Sequence, residues 1–474
     1  IFNRRVIEAH QTATPPLSLV YAVPDHPWVD NTQGAAVRIS MSVGVSGTAE
    51  GRLQTVTQEQ EAESGEVDVE LATQQGIIHA DLKVGANVAG AKRLQANDLL
   101  SNRGVIPHGA GFIVTPDQAQ SLGLGTVSGL DNHIRPYRNG RDLTGTPRGA
   151  LVIDLFGLQS DEVRQRFPAV YQWLLERAKP ERDENPRQRV REMWWLFAEA
   201  RVVMRRSLLG LPRYIVTGQV AKHRVFQWLD ASILPDDKLI AIASDNVTHL
   251  GVLSSQVHSL WALTAGGRLG VGNDPVYSKS TCFETFPFPS DDTGLTPALT
   301  ERIGSLAEQL DAHRKTCLAA HPALTLTGLY NVLDKLRSGE ALSDKDKAIH
   351  TQGLVGVLKS LHDELDAAVL AAYGWPDLAL AANTTTSANT AVNTDTLLQR
   401  LVALNARRAQ EEASGLVRWL RPAFQRGAAL GEQTALDTGD DADTAADTDA
   451  ETDATPRAAK ASTPWPAGSR PRQY

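Results

Sequence analysis

The sequence predicts a mixed α/β chain that passes into an α-helical module and ends in a disordered acidic tail. Three observations predict it. Up to about residue 290, short apolar runs alternate with Gly- and Pro-rich stretches, the mark of short strands, helices and many loops. After Pro289, leucines recur at helical spacing. From Gly427 to Thr455 there are nine acids (Glu432, Asp437, Asp440, Asp441, Asp443, Asp447, Asp449, Glu451 and Asp453) and no Lys or Arg. That last stretch is too poor in core formers to fold.

The elements follow in order. Residues 1–60 read as the end of an α/β unit: PLSLVYAV (16–23) and AAVRISMSVGV (35–45) are two strands joined by a loop rich in turn formers. The polar, acidic stretch 54–75 is an exposed connection or edge hairpin. GAGFIVT (109–115) and GALVIDLF (149–156) read as strands. Ser160 caps a helix with Asp161 and Glu162 in its first turn, and Pro168 starts another. RQRVREMWWLFAEA (187–200) reads as helical, and RYIVT, RVFQWLDA and KLIAIAS (238–244) as strands. Thr296 and Pro297 form an N-cap and first-turn pair. Leu299, Ile303, Leu306 and Leu310 then share one helical face, and Leu354, Leu358, Leu361, Leu365 and Val369 repeat the pattern. The low-complexity segment 379–393 is a linker, Leu397 to Trp419 one more helix, and the chain beyond Gly427 a tail.

Composition narrows the function classes. The 474 residues suffice for about three domains. At 42% hydrophobic and 22% charged, the chain can build sizeable cores. No run of roughly 18 apolar residues exists, so no membrane-spanning helix is expected. The N-terminal IFNRRVIEAH has no apolar signal-peptide region, and with no initiator Met it reads as the start of a fragment. Cys282 and Cys317 cannot staple a large fold, which suits a reducing cytoplasm. GVSGTAEG (44–51) and GGRLGVG (266–272) lack the Lys-Ser/Thr of a phosphate loop and the dinucleotide spacing, so strand ends and tight turns explain them better. The scattered His form no H-E-x-x-H or Cys/His cluster, leaving no support for a metal.

Charge is unevenly spread. The net charge is −8, yet Leu130 to Trp228 holds 18 Lys and Arg against 11 Asp and Glu, a local +7. Two segments within it pair cations with aromatics. IRPYRNGRDL (134–143) places Arg135, Arg138 and Arg141 around Tyr137. PRYIVTGQVAKHRVFQWLD (212–230) adds Arg213, Tyr214, Lys222, His223 and Arg224. Arginine grips phosphate or reads guanine through its planar fork. The same residues are equally well explained as internal Arg ion pairs, with Tyr137 and Tyr214 in the core.

These two segments, together with DASILPDDKLIAIASDN (230–246), YSKSTCFETFPFP (277–289), LTLTGLYNVLDKLRSGE (324–340), HDELDAAVLAAYGWP (362–376) and VRWLRPAFQ (417–425), resemble the C-terminal half of class I adenine-specific DNA methyltransferases related to MmeI-type restriction-modification enzymes. FETFPFP and AAYGWP at their spacing are the most specific part of the likeness. The resemblance implies the terminal strands of a Rossmann-like methyltransferase core over 1–75 and an α+β target-recognition domain over 76–290. It implies a helical module over 291–378, a linker at 379–393, a terminal helix at 394–426 and a tail over 427–474. The Gly-rich methyl-donor loop and the N-P-P-Y tetrapeptide of such enzymes do not occur in this sequence; the one Asn-Pro pair, Asn185-Pro186, is followed by Arg187. The implied function is therefore sequence recognition for adenine-N6 methylation, with S-adenosylmethionine bound by an upstream catalytic half in the same or a separate chain. The alternative is a stand-alone specificity subunit. The implied partner is double-stranded DNA, contacted through Arg135, Tyr137, Arg138, Arg141, Arg213, Tyr214, Lys222, His223 and Arg224.

Overall fold

The structure is a computed structural model that describes residues 2–28, 37–61, 67–269, 274–378 and 387–430. The expected tail from 431 onward and the linker over 379–386 lie outside the described residues.

The chain opens with helix α1 (Phe2–Gln11) and a four-stranded sheet of β1 (Leu17–Trp28), β2 (Val37–Ser46), β3 (Gly51–Glu61) and β4 (Val67–Gly76), ordered β2-β1-β3-β4. β1 runs antiparallel to β2 and parallel to β3. The two strands expected from the apolar runs are β1 and β2, and the acidic stretch is the β3–β4 hairpin at the sheet edge. A small core of Leu19, Ala22, Leu53 and Ile78 holds this layer.

Two further four-stranded sheets share the central part of the chain. One contains β5 (Ser101–Arg103), β9 (Arg213–Gly218), β10 (Gln227–Asp230) and β12 (Leu239–Ile242), in the order β10-β9-β12-β5. The other contains β6 (Ile113–Val114), β7 (Ile134–Arg138), β8 (Leu151–Ile153) and β11 (Leu234–Pro235), in the order β11-β7-β8-β6. The helices between them are short: α2 (Pro116–Ser121), α3 (Gly140–Thr144), α4 (Ser160–Arg166), α5 (Pro168–Arg177), α6 (Lys179–Asp183), α7 (Gln188–Glu192) and α8 (Val202–Leu208). Phe112, Tyr137, Phe167, Trp194, Trp195, Tyr214 and their neighbours form one buried core.

Helices α9 (Val247–Ser254) and α10 (Gln256–Ala265) and the hairpin β13 (Gly267–Leu269) and β14 (Asp274–Val276) lead into the helical part. That part contains α11 (Pro297–Ala320), α12 (Leu326–Ser338), α13 (Asp344–Gln352), α14 (Val355–Ala372), α15 (Ser387–Ala413) and α16 (Pro422–Leu430). Thr296 caps α11 as expected, its side chain accepting from the Leu299 N–H at 3.3 Å. Ile303, Leu306 and Leu310 are buried in a core shared with Ile215, Phe226 and Trp261. Packing therefore continues without a break from the β9–β12 sheet into the helices.

Several local expectations are corrected. The helix at 187–200 stops at Glu192, because Trp194, Trp195 and Phe197 all enter the core and cannot share one helical face. Ser160 is the first helical residue, not the cap, and no side chain caps that end. GAGFIVT supplies a two-residue strand preceded by a 3-10 turn. Leu354 leaves its helical stripe: it sits at φ 44° ahead of α14 and is exposed. Residues 387–393 of the expected linker are helical; α15 continues back from Leu397, Leu398, Leu401 and Leu404, which pack into the core. The same helix ends before Trp419, at Gly415 with φ 93°, a left-handed position that favours glycine. The helical chain then resumes at Pro422 in α16, which runs past Gly427 to Leu430.

Candidate nucleic-acid interface

A cleft of about 430 Å³ opens where the two basic segments approach each other. Asn139, Gly140, Arg141 and Thr144 form one wall; Val220, Lys222, His223 and Gln227 form the second; Asp236 and Lys238 lie between them, and Leu326 and Thr327 of α12 close one end. Sequence makes each wall rigid. In N-G-R-D, Asn139 caps α3: its side chain accepts from the N–H groups of Arg141 and Asp142, while Asp142 returns a bond to the Asn139 N–H. That box fixes the loop and leaves the Arg141 side chain exposed. Lys238 enters β12 from a turn in which Asp236 accepts from its N–H at 2.9 Å.

Arg141, Lys222 and Lys238 are exposed, and none has a carboxylate partner among the described residues. Lys222 Nζ donates to Asn331 Oδ1 at 2.7 Å, and His223 Nε2 lies 2.8 Å from the same oxygen. A neutral amide acceptor orients these groups without cancelling the lysine charge. Gln227 donates from Nε2 to the Leu143 carbonyl at 3.2 Å, so its position is fixed as well.

The other expected contact residues are spent on the fold. Tyr137 and Tyr214 are corrected to core residues: the Tyr137 hydroxyl donates to Asp236 and that of Tyr214 to the Ile233 carbonyl. Burial raises the pKa of both phenols above the ordinary range. Arg135 donates to the carbonyls of Ser232 and Ala231 at 3.0 and 2.9 Å and lies 3.8 Å from Asp154. Burial lowers its pKa. Arg213 pairs with Glu308 of α11 and covers the Trp228 ring at 4.0 Å. Arg224 donates to Thr217 and to the carbonyls of Gly218 and Pro275, with its plane 5.0 Å from the Tyr277 ring. Arg138 is half-buried and donates to its neighbour's carbonyl at 3.1 Å. Of the nine expected residues, the cleft gathers Arg141, Lys222 and His223. Lys238 was missed; its signal was a lone cation in the turn that starts an apolar strand.

The glycine stretch 44–51 turns between two strands. Its Gly47 and Ala49 N–H groups are taken by the Pro16 carbonyl and Ser18 Oγ. It leads into β3 and not into a helix. Of GGRLGVG, the described residues form β13. Among the described residues no group of three His, Cys, Asp or Glu could hold a metal ion, and no helix is long and apolar enough to cross a membrane.

Residues 102–290 match the family described as MmeI, target recognition domain. No curated protein matches the chain. Among solved structures, the chain is similar to the type IIL restriction-modification enzyme MmeI in complex with DNA, with a TM-score of 0.58 at 16% identity over 83% of this chain and 46% of that one. It is also aligned with the type IIG restriction endonuclease BpuSI, with a TM-score of 0.29 at 10% identity over 78% of this chain and 45% of that one. The chain thus spans less than half the length of either protein. The segments quoted from the sequence and the family match point the same way: residues 102–290 are similar to a target recognition domain of the MmeI type.

Proposed function

We propose that this chain is the DNA sequence-recognition portion of an MmeI-type restriction-modification enzyme. The reaction it serves is transfer of a methyl group from S-adenosylmethionine to the exocyclic N6 of adenine. The donor and the flipped base would be held by a catalytic half outside this sequence, since this chain offers neither the donor loop nor the N-P-P-Y tetrapeptide. The β1–β4 sheet would be where that half continues into this one.

The observation that carries the reading is the cleft of the recognition domain. Three exposed cations, Arg141, Lys222 and Lys238, converge there from separate segments and lack carboxylate partners among the described residues. Cations so placed gain most from a polyanion, because phosphate contacts release condensed counterions and fix the protein's register. The half-buried Asn139 and Gln227 also line the cleft, and their remaining polar atoms can meet base edges. The structural relative bound to DNA supports the same assignment.

The test is binding of the chain to labelled duplex DNA across a salt series. Replacing Arg141, Lys222 and Lys238 together with Ala should weaken binding and flatten the slope of log affinity against log salt by up to about 0.9 per contact. A folded triple variant with the parent slope would remove the cleft from the interface.

A further inference from the structure

The helical part does more than cover the recognition domain. β10 is an edge strand, and α11 satisfies its outer backbone with side chains. Asp311 accepts from the Trp228 N–H at 3.3 Å, Lys315 donates to the Trp228 carbonyl at 2.9 Å, and Arg314 donates to the Phe226 carbonyl at 2.9 Å. Arg314 also reaches the Tyr330 hydroxyl of α12 at 3.1 Å, so the two helices hold the strand as a unit. The segment before β10, residues 219–226, has no regular ladder of its own beyond a single bridge at Val220. Arg224 anchors it inward, and Asn331 meets it from outside. Asn331 Oδ1 is the shared acceptor for Lys222 and His223, and one turn later Asp334 lies 3.6 Å from His223 Nδ1. The start of the same helix, Leu326 and Thr327, lines the cleft.

We infer that α12 is a working part of the DNA cleft and that Asn331 is a positioning residue, holding Lys222 and His223 where a duplex backbone passes. This rests on the reading of the cleft as the DNA site. The choice of an amide is chemically specific. A lysine head on a four-carbon stem is flexible, and a fixed acceptor restricts it. An amide oxygen does so while leaving the full positive charge for a phosphate. A carboxylate in that place would neutralise the lysine.

The test uses the full chain and a fluorescein-labelled duplex of mixed sequence, with anisotropy read across a salt series and thermal unfolding read in parallel. Asn331→Ala should weaken binding roughly three- to tenfold, the size expected for losing one or two hydrogen bonds to charged or polar groups. Asn331→Asp should also weaken it and lower the salt slope by about 0.9, because Lys222 is then paired internally. In a Lys222→Ala/His223→Ala background, Asn331→Ala should have no further effect. Parent-like affinity and slope for both Asn331 variants, with their unfolding unchanged, overturn the inference. So does an Asn331→Ala loss that persists in full in the double-variant background. If Asn331→Ala unfolds, the near-isosteric Asn331→Asp decides through its slope. Failure of the parent chain to bind the duplex would sink the cleft reading itself. A parent slope that responds to Arg141 and Lys238 but not to Asn331 would sink this inference alone.

Discussion

The loop at 139–148 and the arm at 211–230 carry similar mixtures of cations and polar groups, yet they divide their charges differently. In the loop, the tight Asn139–Asp142 capping box turns Arg141 outward, and Arg148 lies against Asp142 with bonds of 3.0 and 2.9 Å. In the arm, Arg213 at the start of β9 and Arg224 in the segment before β10 are both drawn into the fold, Arg213 to Glu308 and Arg224 to backbone carbonyls; of the cations there only Lys222 stays exposed. The difference teaches that local charge density alone does not mark an interface. A guanidinium near a sheet finds carbonyls and carboxylates brought in from elsewhere in the chain. A cation at a loop tip does not.

The largest effect should come from a buried carboxylate that serves two part-buried arginines. Asp154 is 5% exposed, binds Arg205 at 2.7 and 3.0 Å, and lies near Arg135. Asp154→Ala strands two part-buried guanidiniums and should cost about 3–5 kcal/mol in urea unfolding. A loss under 1 kcal/mol would mean that water reaches these arginines freely.

Next comes a pair of neighbours with opposite fates. Arg224→Ala removes a part-buried guanidinium and its bonds to Thr217 and to the Gly218 and Pro275 carbonyls, so about 2–3 kcal/mol of stability should go. Lys222→Ala should stay within about 0.5 kcal/mol of the parent, as surface changes do. Equal stability losses for the two would erase the distinction drawn between the inner and outer faces of the arm.

A third group of internal cations sharpens the comparison through pH. Arg408 bonds Asp292 and Glu411, and Arg418 lies 3.7 Å from Asp292 and 3.3 Å from Glu411. Burial alone would raise the Asp292 pKa, but hydrogen bonds from Arg408 and Ser290 overturn this and hold the carboxyl well below the usual range. Burial opposes the shift at Glu411 too, yet Arg408 and Arg418 lower its pKa. A depressed carboxyl contributes stability that is complete above its unfolded pKa, about 4, and is lost as pH falls through the folded value. Arg408→Ala should therefore be less stable than the parent at pH 7, with the gap narrowing as pH drops below about 4. A gap independent of pH would assign the loss to packing alone.

A small effect should be seen at the loop as well. The Arg148 side chain is half exposed, and Asp142 keeps the backbone N–H groups of Asn139 and Arg148. Arg148→Ala should therefore cost about 0–1 kcal/mol in the same unfolding assay. A loss above 2 kcal/mol would show that the pair holds the loop as firmly as Asp154 holds the sheet.

By itself the sequence determined the parts that depend on near neighbours. Thr296 and Pro297 start α11 because capping and a fixed φ act within one turn. The apolar runs at 214–217 and 239–242 become β9 and β12 because a strand buried on both faces needs such a run. The concentration of cations between Leu130 and Trp228 and the resemblance carried by FETFPFP and AAYGWP were equally legible. Tertiary structure decided the rest. The sheet order β10-β9-β12-β5 joins strands more than a hundred residues apart, and the end of α7 at Glu192 follows from where Trp194, Trp195 and Phe197 find room. Which cations remain available depends on contacts no local pattern encodes: Ala231 and Ser232 carbonyls for Arg135, Glu308 for Arg213, Pro275 for Arg224, and Asn331, a neutral acceptor more than a hundred residues along the chain, for Lys222. The physical reason is that a charge is held or released by the polar groups within a few ångströms of it, and here folding brings most of those groups from distant parts of the chain.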